Sequence, residues 1–404
     1  MASSSSEAEL KDKLLHRVGK KMETASLSPS QWSIYNVPQR LRKINETAYS
    51  PCIISVGPLH RNDGSLQVME AYKYFYMQSI VERTQDPEKT KADICAAISS
   101  LEKEARANYA EKISHRDYEL AEILLVDGCF ILELFFRDRQ PRLSERGVDP
   151  LIETEWMKGI TDPEQTDSGP EPPESLSEYA LHFFQPVLKF DDKLVKNNYG
   201  TNMHLLDLLR KCCGPSIPRK KPKSEDLMYV AGATKLKRAG IRLEPRQPHS
   251  TLSDMNFEDG VLAIPPLCVD DMTEPLFRNL IAFEQCHLDC EHKISSYASF
   301  MDSLINTPED VELLEEKGII KNYLGDSKSV SKLFNNLCKE IVVKPNFFQE
   351  QSEKIDEYYN SVYHRYKEIL RSDYCPDPCR TIAFLAATTL LIISILQTVY
   401  TVAF

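Results

Sequence analysis

Apolar residues recur at helical spacing over most of this chain. They lie three and four positions apart with charged residues between them, which is the pattern of a helix with one buried face. This spacing predicts helices over residues 66–83, 90–114, 176–188, 204–210, 276–283, 294–304, 311–317 and 355–369. Thr307 precedes Pro308 and two acidic residues, a typical helix start, so the helix that includes 311–317 should begin there.

Residues 117–137 are the most apolar stretch before the C-terminal segment. Between Ile123 and Phe136 only Asp127 and Glu133 carry charge, so we expect the central core helix here. Asp127 has two interpretations: a desolvated acid or base, or a structural group bonded to a helix end or an arginine. In the second case the adjacent Gly128 would permit close packing. We favour the structural role, because the sequence shows no catalytic partner.

The hydrophobic period changes between residues 241 and 270. The stretches IRLEP, LSDMNF and VLAIPPLCV have the composition of short strands, and Glu258-Asp259-Gly260 is a hairpin turn signal. We expect a small antiparallel β meander there. A further short strand is predicted at Ile53–Val56, in a proline-rich extended segment. The fold class is therefore mainly α (α+β), a multi-helix domain with a small sheet.

The C-terminal segment 382–404, IAFLAATTLLIISILQTVYTVAF, is apolar and uncharged. As a helix it spans roughly 34 Å, enough for a bilayer core of about 30 Å. The alternative is a long helix buried in a protein core. Hydroxyl side chains such as Thr388 and Ser394 weaken the apolar signal, but they can bond to carbonyls of the preceding turn. We favour a transmembrane helix that acts as a tail anchor.

Composition divides the chain into five parts. They are a polar arm with one short helix (1–30), an N-terminal helical part (31–137), an acidic proline-rich linker (138–175), a C-terminal helical part with the meander (176–374) and the anchor (382–404). A basic loop at 218–223 is a solvated surface, a binding spot for acidic lipid headgroups or an import signal, and we favour the solvated surface.

The formal net charge of −11 argues against general nucleic-acid binding, which needs a basic face. The N-terminal sequence has no apolar run of signal-peptide length, and Ala2 does not fit an N-myristoylation motif. Basic residues precede the apolar segment. These features favour a cytosolic domain on a membrane, either the plasma membrane or the endoplasmic reticulum.

The eleven cysteines show no disulfide framework and are expected to be reduced. The cluster Cys286-His287-Leu288-Asp289-Cys290-Glu291-His292 has side chains that bind zinc. It lacks a second pair of ligands, so we expect no metal. Cys375 and Cys379 lie directly before the anchor, where cysteines are often S-acylated, and are candidates for lipidation.

Known catalytic motifs are absent from the sequence. There is no GxSxG, HExxH, Walker or GxGxxG pattern, and we predict no cofactor. His60 follows a glycine turn in Ser55-Val56-Gly57-Pro58-Leu59-His60 and is a candidate base. The same turn has too few glycines to cradle a phosphate.

Ten blocks, in order, resemble the plant family called domain of unknown function 247. They are Ile34-Tyr35-Asn36-Val37-Pro38 with Leu41-Arg42, Tyr49-Ser50-Pro51, Ser55 to His60, Met69-Glu70 with Lys73, Asp127 to Leu134, His204 to Leu209, Ala233-Thr234 with Ala239-Gly240-Ile241, Ile264-Pro265-Pro266-Leu267, Arg278 to Glu284, and Gln397-Thr398-Val399-Tyr400. The resemblance covers about residues 30 to 404. His60, Asp127, Asn279 and Glu284 are candidate functional residues within these blocks.

The resemblance implies a largely helical, single-pass plant membrane protein without an established enzymatic activity. Some members lie at grass self-incompatibility loci, which suggests recognition or signalling for those members. Two departures stand out. The family's Leu-Leu-Glu-Asn-Gln-x-Pro-Phe helix is missing after residues 156–160, and Cys375-Pro376-Asp377-Pro378-Cys379 stands where the family has Pro-Trp.

Our leading hypothesis is a tail-anchored plant membrane protein whose cytosolic helical domain binds another protein. The first alternative is a membrane-anchored enzyme with an unrecognised site around Asp127, His60 and the block from Asn279 to Glu284. The second alternative is a divergent or truncated, non-functional family member, because of the missing helix.

Overall fold

The computed structural model describes residues 2–24, 32–139, 175–185, 203–213, 230–246, 251–287, 290–342, 347–361 and 378–403. Within these ranges it has fourteen α-helices and five short strands, which confirms the predicted fold class. The helices are α1 (Ala2–Thr24), α2 (Gln39–Arg42), α3 (Glu70–Glu82), α4 (Pro87–Ala107), α5 (Asp117–Arg139), α6 (Leu176–Phe184), α7 (Leu205–Cys212), α8 (Ala233–Arg238), α9 (Thr273–Cys286), α10 (Lys293–Leu304), α11 (Pro308–Glu316), α12 (Ser327–Leu337), α13 (Gln349–Asn360) and α14 (Pro378–Ala403). The strands are β1 (Arg242–Pro245), β2 (Asn256–Glu258), β3 (Val261–Ile264), β4 (Leu267–Val269) and β5 (Ile320–Asn322).

Helix α5 joins two hydrophobic clusters, as expected of a central core helix. Its Phe130 stacks on Tyr76 of α3 with ring centroids 5.2 Å apart, in a small N-terminal cluster. Further along α5, Phe135 meets Phe183 of α6 at 5.1 Å and belongs to the main core. Ile131 packs against both clusters. The helix therefore connects the N-terminal helices α3 and α4 to the rest of the domain.

The main core lies among α6–α13, the strands and the C-terminal end of α5. Fully buried side chains come from the sheet and from three helices around it: Leu262 of β3, Leu280 of α9, Met301 of α10 and Phe334 of α12. The predicted start of α11 is confirmed, because the Thr307 and Asp310 side chains form a capping box. This burial of apolar area is the main source of stability for the C-terminal part.

The predicted antiparallel meander needs a correction. β2 and β3 form the expected antiparallel hairpin, and its turn holds Asp259 and Gly260 at φ of 49° and 75°. β1, however, pairs in parallel with β3, so the sheet is mixed, with the order β1-β3-β2. In a meander a tight turn would connect β1 to β2 as neighbouring strands. Here residues 246–255 form a longer connection between them, so β1 and β2 can lie apart with β3 between them. β4 and β5 form a second, parallel pair.

Three other predictions can be compared with the structure. Residues 53–56 form no strand, since they lie between Pro51 and Pro58 without a partner strand among the described residues. α1 is a 23-residue helix, longer than the short helix expected in the polar arm. The linker residues 140–174, the basic loop 218–223 and the second half of the helix predicted at 355–369 lie outside the described residues.

Helix α14 contains an apolar stretch, Ile382–Tyr400, that is long enough to cross a membrane. None of this stretch is buried inside the fold, which does not fit the alternative of a core helix. The hydroxyl groups bond as expected to the preceding turn: Thr389 Oγ1 donates to the Leu385 carbonyl at 2.7 Å and Thr398 Oγ1 to the Ser394 carbonyl at 2.8 Å.

Candidate functional site

Several of the sequence blocks that carry the family resemblance meet at one cavity. The cavity has a volume of about 540 Å³ and lies between residues 33–37, the loop 56–59, α5, the start of α7 and one face of α9. Most of its lining is apolar, and its polar side chains come from Ser33, Tyr35, Tyr109, Asp127, His204, Asn279 and Cys286. Its size is within the usual range for small-molecule sites, about 300–1,000 Å³.

Asp127 belongs to a buried ion pair at the edge of this cavity. Its Oδ2 accepts a hydrogen bond from Gly57 N at 2.7 Å, and its Oδ1 accepts one from Lys73 Nζ. Lys73 is fully buried, also donates to the Ser55 carbonyl, and lies 2.8 Å from Glu70 Oε1. Burial lowers the pKa of Lys73, whereas the hydrogen bond and charge of Asp127 act in the opposite direction. Both carboxylate oxygens are occupied, which supports the structural role, but the partners are a lysine and a loop amide and not the expected helix end or arginine.

The loop before the ion pair depends on Gly57. Its φ of +82° lies in the left-handed region, which residues other than glycine rarely adopt. A Cβ at this position would lie 3.5 Å from the Tyr109 hydroxyl. The glycine therefore allows a backbone N–H to point at Asp127 while the chain turns along the cavity.

His204 is a capping residue with both ring nitrogens in use. Nε2 lies 2.8 Å from the Ser33 carbonyl, which can only accept, so Nε2 carries the hydrogen. Nδ1 then accepts from Asp207 N at 3.3 Å, at the N-terminus of α7. Burial lowers the pKa of His204, while the Ser33 bond and the charge of Asp207 act in the opposite direction. The ring is thus neutral and not free to act as a general base.

Two side-chain oxygen atoms of the described cavity lining have no hydrogen-bond partner among the described residues. Asn279 Nδ2 donates to the carbonyls of Ala48 and Pro275, both at 2.8 Å, but its Oδ1 accepts no such bond. The Tyr109 hydroxyl likewise bonds to no other described residue. Burial, and secondarily the charge of Asp127, raise the pKa of Tyr109, so its hydroxyl stays protonated at neutral pH.

Gly128 lies inside α5 and lines the cavity. A Cβ added at this position would meet no atom within 4 Å, and the backbone there is not in the left-handed region. The interpretation that Gly128 permits close packing is therefore wrong. A glycine inside a helix costs about 1 kcal/mol relative to alanine, and no contact at this position offsets that cost.

The four candidate residues from the sequence do not form one site. Asp127 and Asn279 line the cavity, but His60 and Glu284 do not. His60 is half-buried in the 56–63 loop, where burial and the charge of Arg42 lower its pKa. Glu284 is fully buried and caps α10, accepting from Ile294 N at 2.9 Å and from Ser295 N at 2.8 Å. Burial raises the pKa of Glu284, against the effect of these hydrogen bonds.

Two histidines of the cysteine and histidine cluster also have polar partners within the fold. His287 Nδ1 lies 2.9 Å from the Tyr35 hydroxyl, and His292 Nδ1 lies 3.5 Å from Gln285 Nε2. Within the described ranges, which omit Asp289, no three His, Cys, Asp or Glu side chains gather as a metal site. Of the candidates for lipidation, Cys375 lies outside the described residues and Cys379 lies in the first turn of α14.

Sequence reasoning missed the contributions of Tyr109, Lys73 and Gly57. Lys73 stands three residues after Glu70, a spacing that normally indicates a solvated pair on a helix surface. Tyr109 follows α4 in a charged stretch and has no local pattern that sets it apart. The only signal was the presence of Gly57 and Lys73 in blocks of the family resemblance.

Comparison with known proteins agrees with that resemblance. The sequence matches the family described as "Plant protein of unknown function" (DUF247) over residues 34–163 and 158–393. The chain belongs to this family. The two matched segments overlap at residues 158–163.

Two curated relatives of this DUF247 chain come from Arabidopsis thaliana. It is 24% identical to UPF0481 protein At3g47200, in an alignment that covers 90% of this chain and 85% of the relative. It is 22% identical to Putative UPF0481 protein At3g02645, over 93% of this chain and 91% of the relative. No solved structure matches the sequence.

Removal of the Asp127 carboxylate should destabilise the domain strongly. Breaking a buried ion pair costs about 3–5 kcal/mol, and we expect about 3 kcal/mol for Asp127→Ala because Glu70 still faces Lys73. The double variant Asp127→Ala/Lys73→Met should recover much of this loss. Urea unfolding of the full chain in neutral detergent measures both. Glu88→Ala, which breaks an exposed pair with Lys91, is the control and should cost at most about 1 kcal/mol. A similar small loss for Asp127→Ala would contradict the structural role.

The His204 contacts predict a pH dependence of stability. Its folded pKa is lowered, so the unfolded chain, with a pKa of about 6.5, binds the proton more readily. The contribution of neutral His204 to the free energy of unfolding is therefore complete above about pH 7. It decreases as the pH falls through about 6.5 towards the folded pKa. His204→Asn keeps a capping side chain but does not titrate, so it should lose less stability than the wild type between about pH 7.5 and about pH 5.5. Equal losses in the two proteins, measured by urea unfolding, would contradict this assignment.

Gly128→Ala should stabilise the domain. The methyl group enters open space, and the helix gains about 1 kcal/mol of propensity. Thermal unfolding should therefore shift upwards by a few degrees. A lower unfolding temperature would show that residue 128 is more closely packed than the structure indicates.

Proposed function

We propose that this chain is a single-pass, tail-anchored membrane protein whose helical domain faces the cytosol and binds another protein. The observation that carries the proposal is the apolar stretch Ile382–Tyr400, which is long enough to cross a bilayer and is not buried in the fold. Leu390, Leu391 and Ile392 at its centre are each more than half exposed. In water such a surface is unfavourable, at about 25 cal/mol per Å², and a bilayer would cover it.

The state of the cavity side chains supports a binding module in preference to an enzyme. Asp127 and His204 are both held in structural hydrogen bonds, so neither is available to transfer a proton. Burial raises the pKa of the Cys286 thiol, which makes it a poor nucleophile. His60, the other candidate base, lies outside the cavity lining. No observation on the described residues favours the enzyme alternative.

Charges placed in the apolar helix should release the protein from membranes. Each arginine near the centre of a transmembrane helix costs about 2.5–3.5 kcal/mol, so Leu391→Arg/Ile392→Arg should lower membrane retention strongly. Leu391→Phe/Ile392→Phe is the matched control and should be retained. Alkaline carbonate extraction of plant membranes measures the retained fraction. Complete extraction of the wild type would exclude a transmembrane anchor.

Protease treatment of intact microsomes tests the cytosolic orientation. An epitope on the N-terminus should be digested, because the domain is proposed to face the cytosol. Full protection of the epitope would overturn that orientation and leave the anchor itself standing.

Site-specific photo-crosslinking tests for a protein partner. Leu59 lies at the cavity and is 43% exposed, and Tyr323 is an exposed residue outside the cavity lining. A benzophenone amino acid at position 59 of the full chain should give a discrete protein adduct in plant membranes, and the same group at position 323 should not. Identical adducts at both positions, or none at position 59, would argue against partner binding at this surface.

A further inference from the structure

We propose that the cavity beside α5 is a binding site for an uncharged, mainly apolar small molecule that forms hydrogen bonds with the Tyr109 hydroxyl and Asn279 Oδ1. This site would be a second binding activity of the domain, beyond the proposed protein partner and independent of it. The observations behind the proposal are the size of the cavity, the lack of a free charged partner in its lining, two unpaired oxygen atoms and one glycine.

The described lining residues offer no free charged partner for an ionic ligand. Among the lining residues that the structure describes there is no lysine or arginine that could bind an anion. The one carboxylate, Asp127, is already bonded to Lys73 and to Gly57 N, so a cation would have to compete with an internal ion pair. A buried charge without a partner is strongly unfavourable. The ligand that fits is therefore neutral.

The lining specifies the rest of the ligand's chemistry. Side chains such as Leu124, Ile131 and Phe283 offer an apolar surface, which favours an aliphatic or aromatic body. The hydroxyl of Tyr109 can donate a hydrogen bond, and Asn279 Oδ1 can accept one. Because neither has a partner among the described residues, a ligand that carries an acceptor and a hydroxyl or N–H group would satisfy both.

Gly128 indicates that this space is more than a fault in packing. The position lies in the middle of α5, where alanine would be better for helix stability and would meet no clash. The remaining consequence of the glycine is that no side chain extends from this position of α5 to occupy the cavity. Proteins commonly keep residues at binding sites that lower the stability of the fold relative to a better-packed alternative.

The proposal can be tested with prodan, an uncharged naphthalene dye whose carbonyl oxygen can accept a hydrogen bond from Tyr109. Binding of prodan is measured to the full chain in nanodiscs of neutral lipid. Trp156→Phe in every protein leaves Trp32 as the only tryptophan, and Trp32 adjoins Ser33 of the cavity lining. Energy transfer from Trp32 to the dye should saturate at one dye per chain in the otherwise wild-type protein. Dye dissolved in the lipid gives a linear background, which is the same in all variants.

Gly128→Phe should fill the cavity and weaken dye binding at least tenfold. Leu132→Phe adds a ring to an exposed position of the same helix, so it is the matched control and should leave binding unchanged. Tyr109→Phe removes only the hydroxyl and should weaken binding about two- to tenfold, as expected for one hydrogen bond. Gly128→Leu, smaller than phenylalanine, provides a second filling variant whose thermal unfolding shows that the domain is folded.

Three outcomes would overturn the proposal. The first is energy transfer that never saturates in the otherwise wild-type protein. The second is saturable transfer that Gly128→Phe and Gly128→Leu leave unchanged. The third is that Leu132→Phe weakens dye binding as much as Gly128→Phe does. Stabilisation by Gly128→Leu without any dye binding in the wild type would show that the cavity is only a gap in packing. None of these results would affect the crosslinking or extraction experiments, so failure of the protein-partner proposal remains distinguishable.

Discussion

The buried ion pair between Lys73 and Asp127 is the interaction on which the N-terminal half depends. It connects α3 to α5, and through Gly57 N and the Ser55 carbonyl it fixes the 55–57 loop between them. A charge pair without access to water tolerates little change in geometry, because either partner alone would be strongly unfavourable. The loop therefore has one position, and that position forms a wall of the cavity.

The cavity follows from this arrangement and from two tethers that come from distant parts of the chain. His204 bonds to the Ser33 carbonyl, and Asn279 bonds to the Ala48 carbonyl, so α7 and α9 are held against the N-terminal segment. These polar groups are used for structure, which leaves a mainly apolar space in which two side-chain oxygen atoms of the described lining, Tyr109 Oη and Asn279 Oδ1, are unpaired. Such a site suits recognition of a neutral group and not proton transfer. The exposed apolar helix α14 would place that recognition at a membrane.

Local patterns predicted the helices well and the pairing of elements poorly. The bounds of α5, α7 and α10, and the start of α11, follow from apolar spacing and capping residues, which act over a few residues. Nothing local distinguishes a parallel from an antiparallel partner, so the pairings of β1 with β3 and of β4 with β5 were missed. Helix α12 was also missed, although its Asp326 cap and its buried Val330, Leu333, Phe334 and Leu337 are a local helical pattern. The strand predicted at 53–56 has the right composition, but strand formation needs a partner, and the neighbouring helices bind this loop through side chains instead.

The sequence by itself determined the family, the mainly helical class and the apolar segment that is long enough for a bilayer, because these depend on composition, order and period. It also marked Asp127 and Asn279, two residues of the cavity. Only the tertiary structure decided that Asp127 is paired with Lys73, that Glu284 is a helix cap and that Gly128 borders open space. Those outcomes depend on contacts between residues tens to hundreds of positions apart, and on where packing stops, which no local pattern encodes.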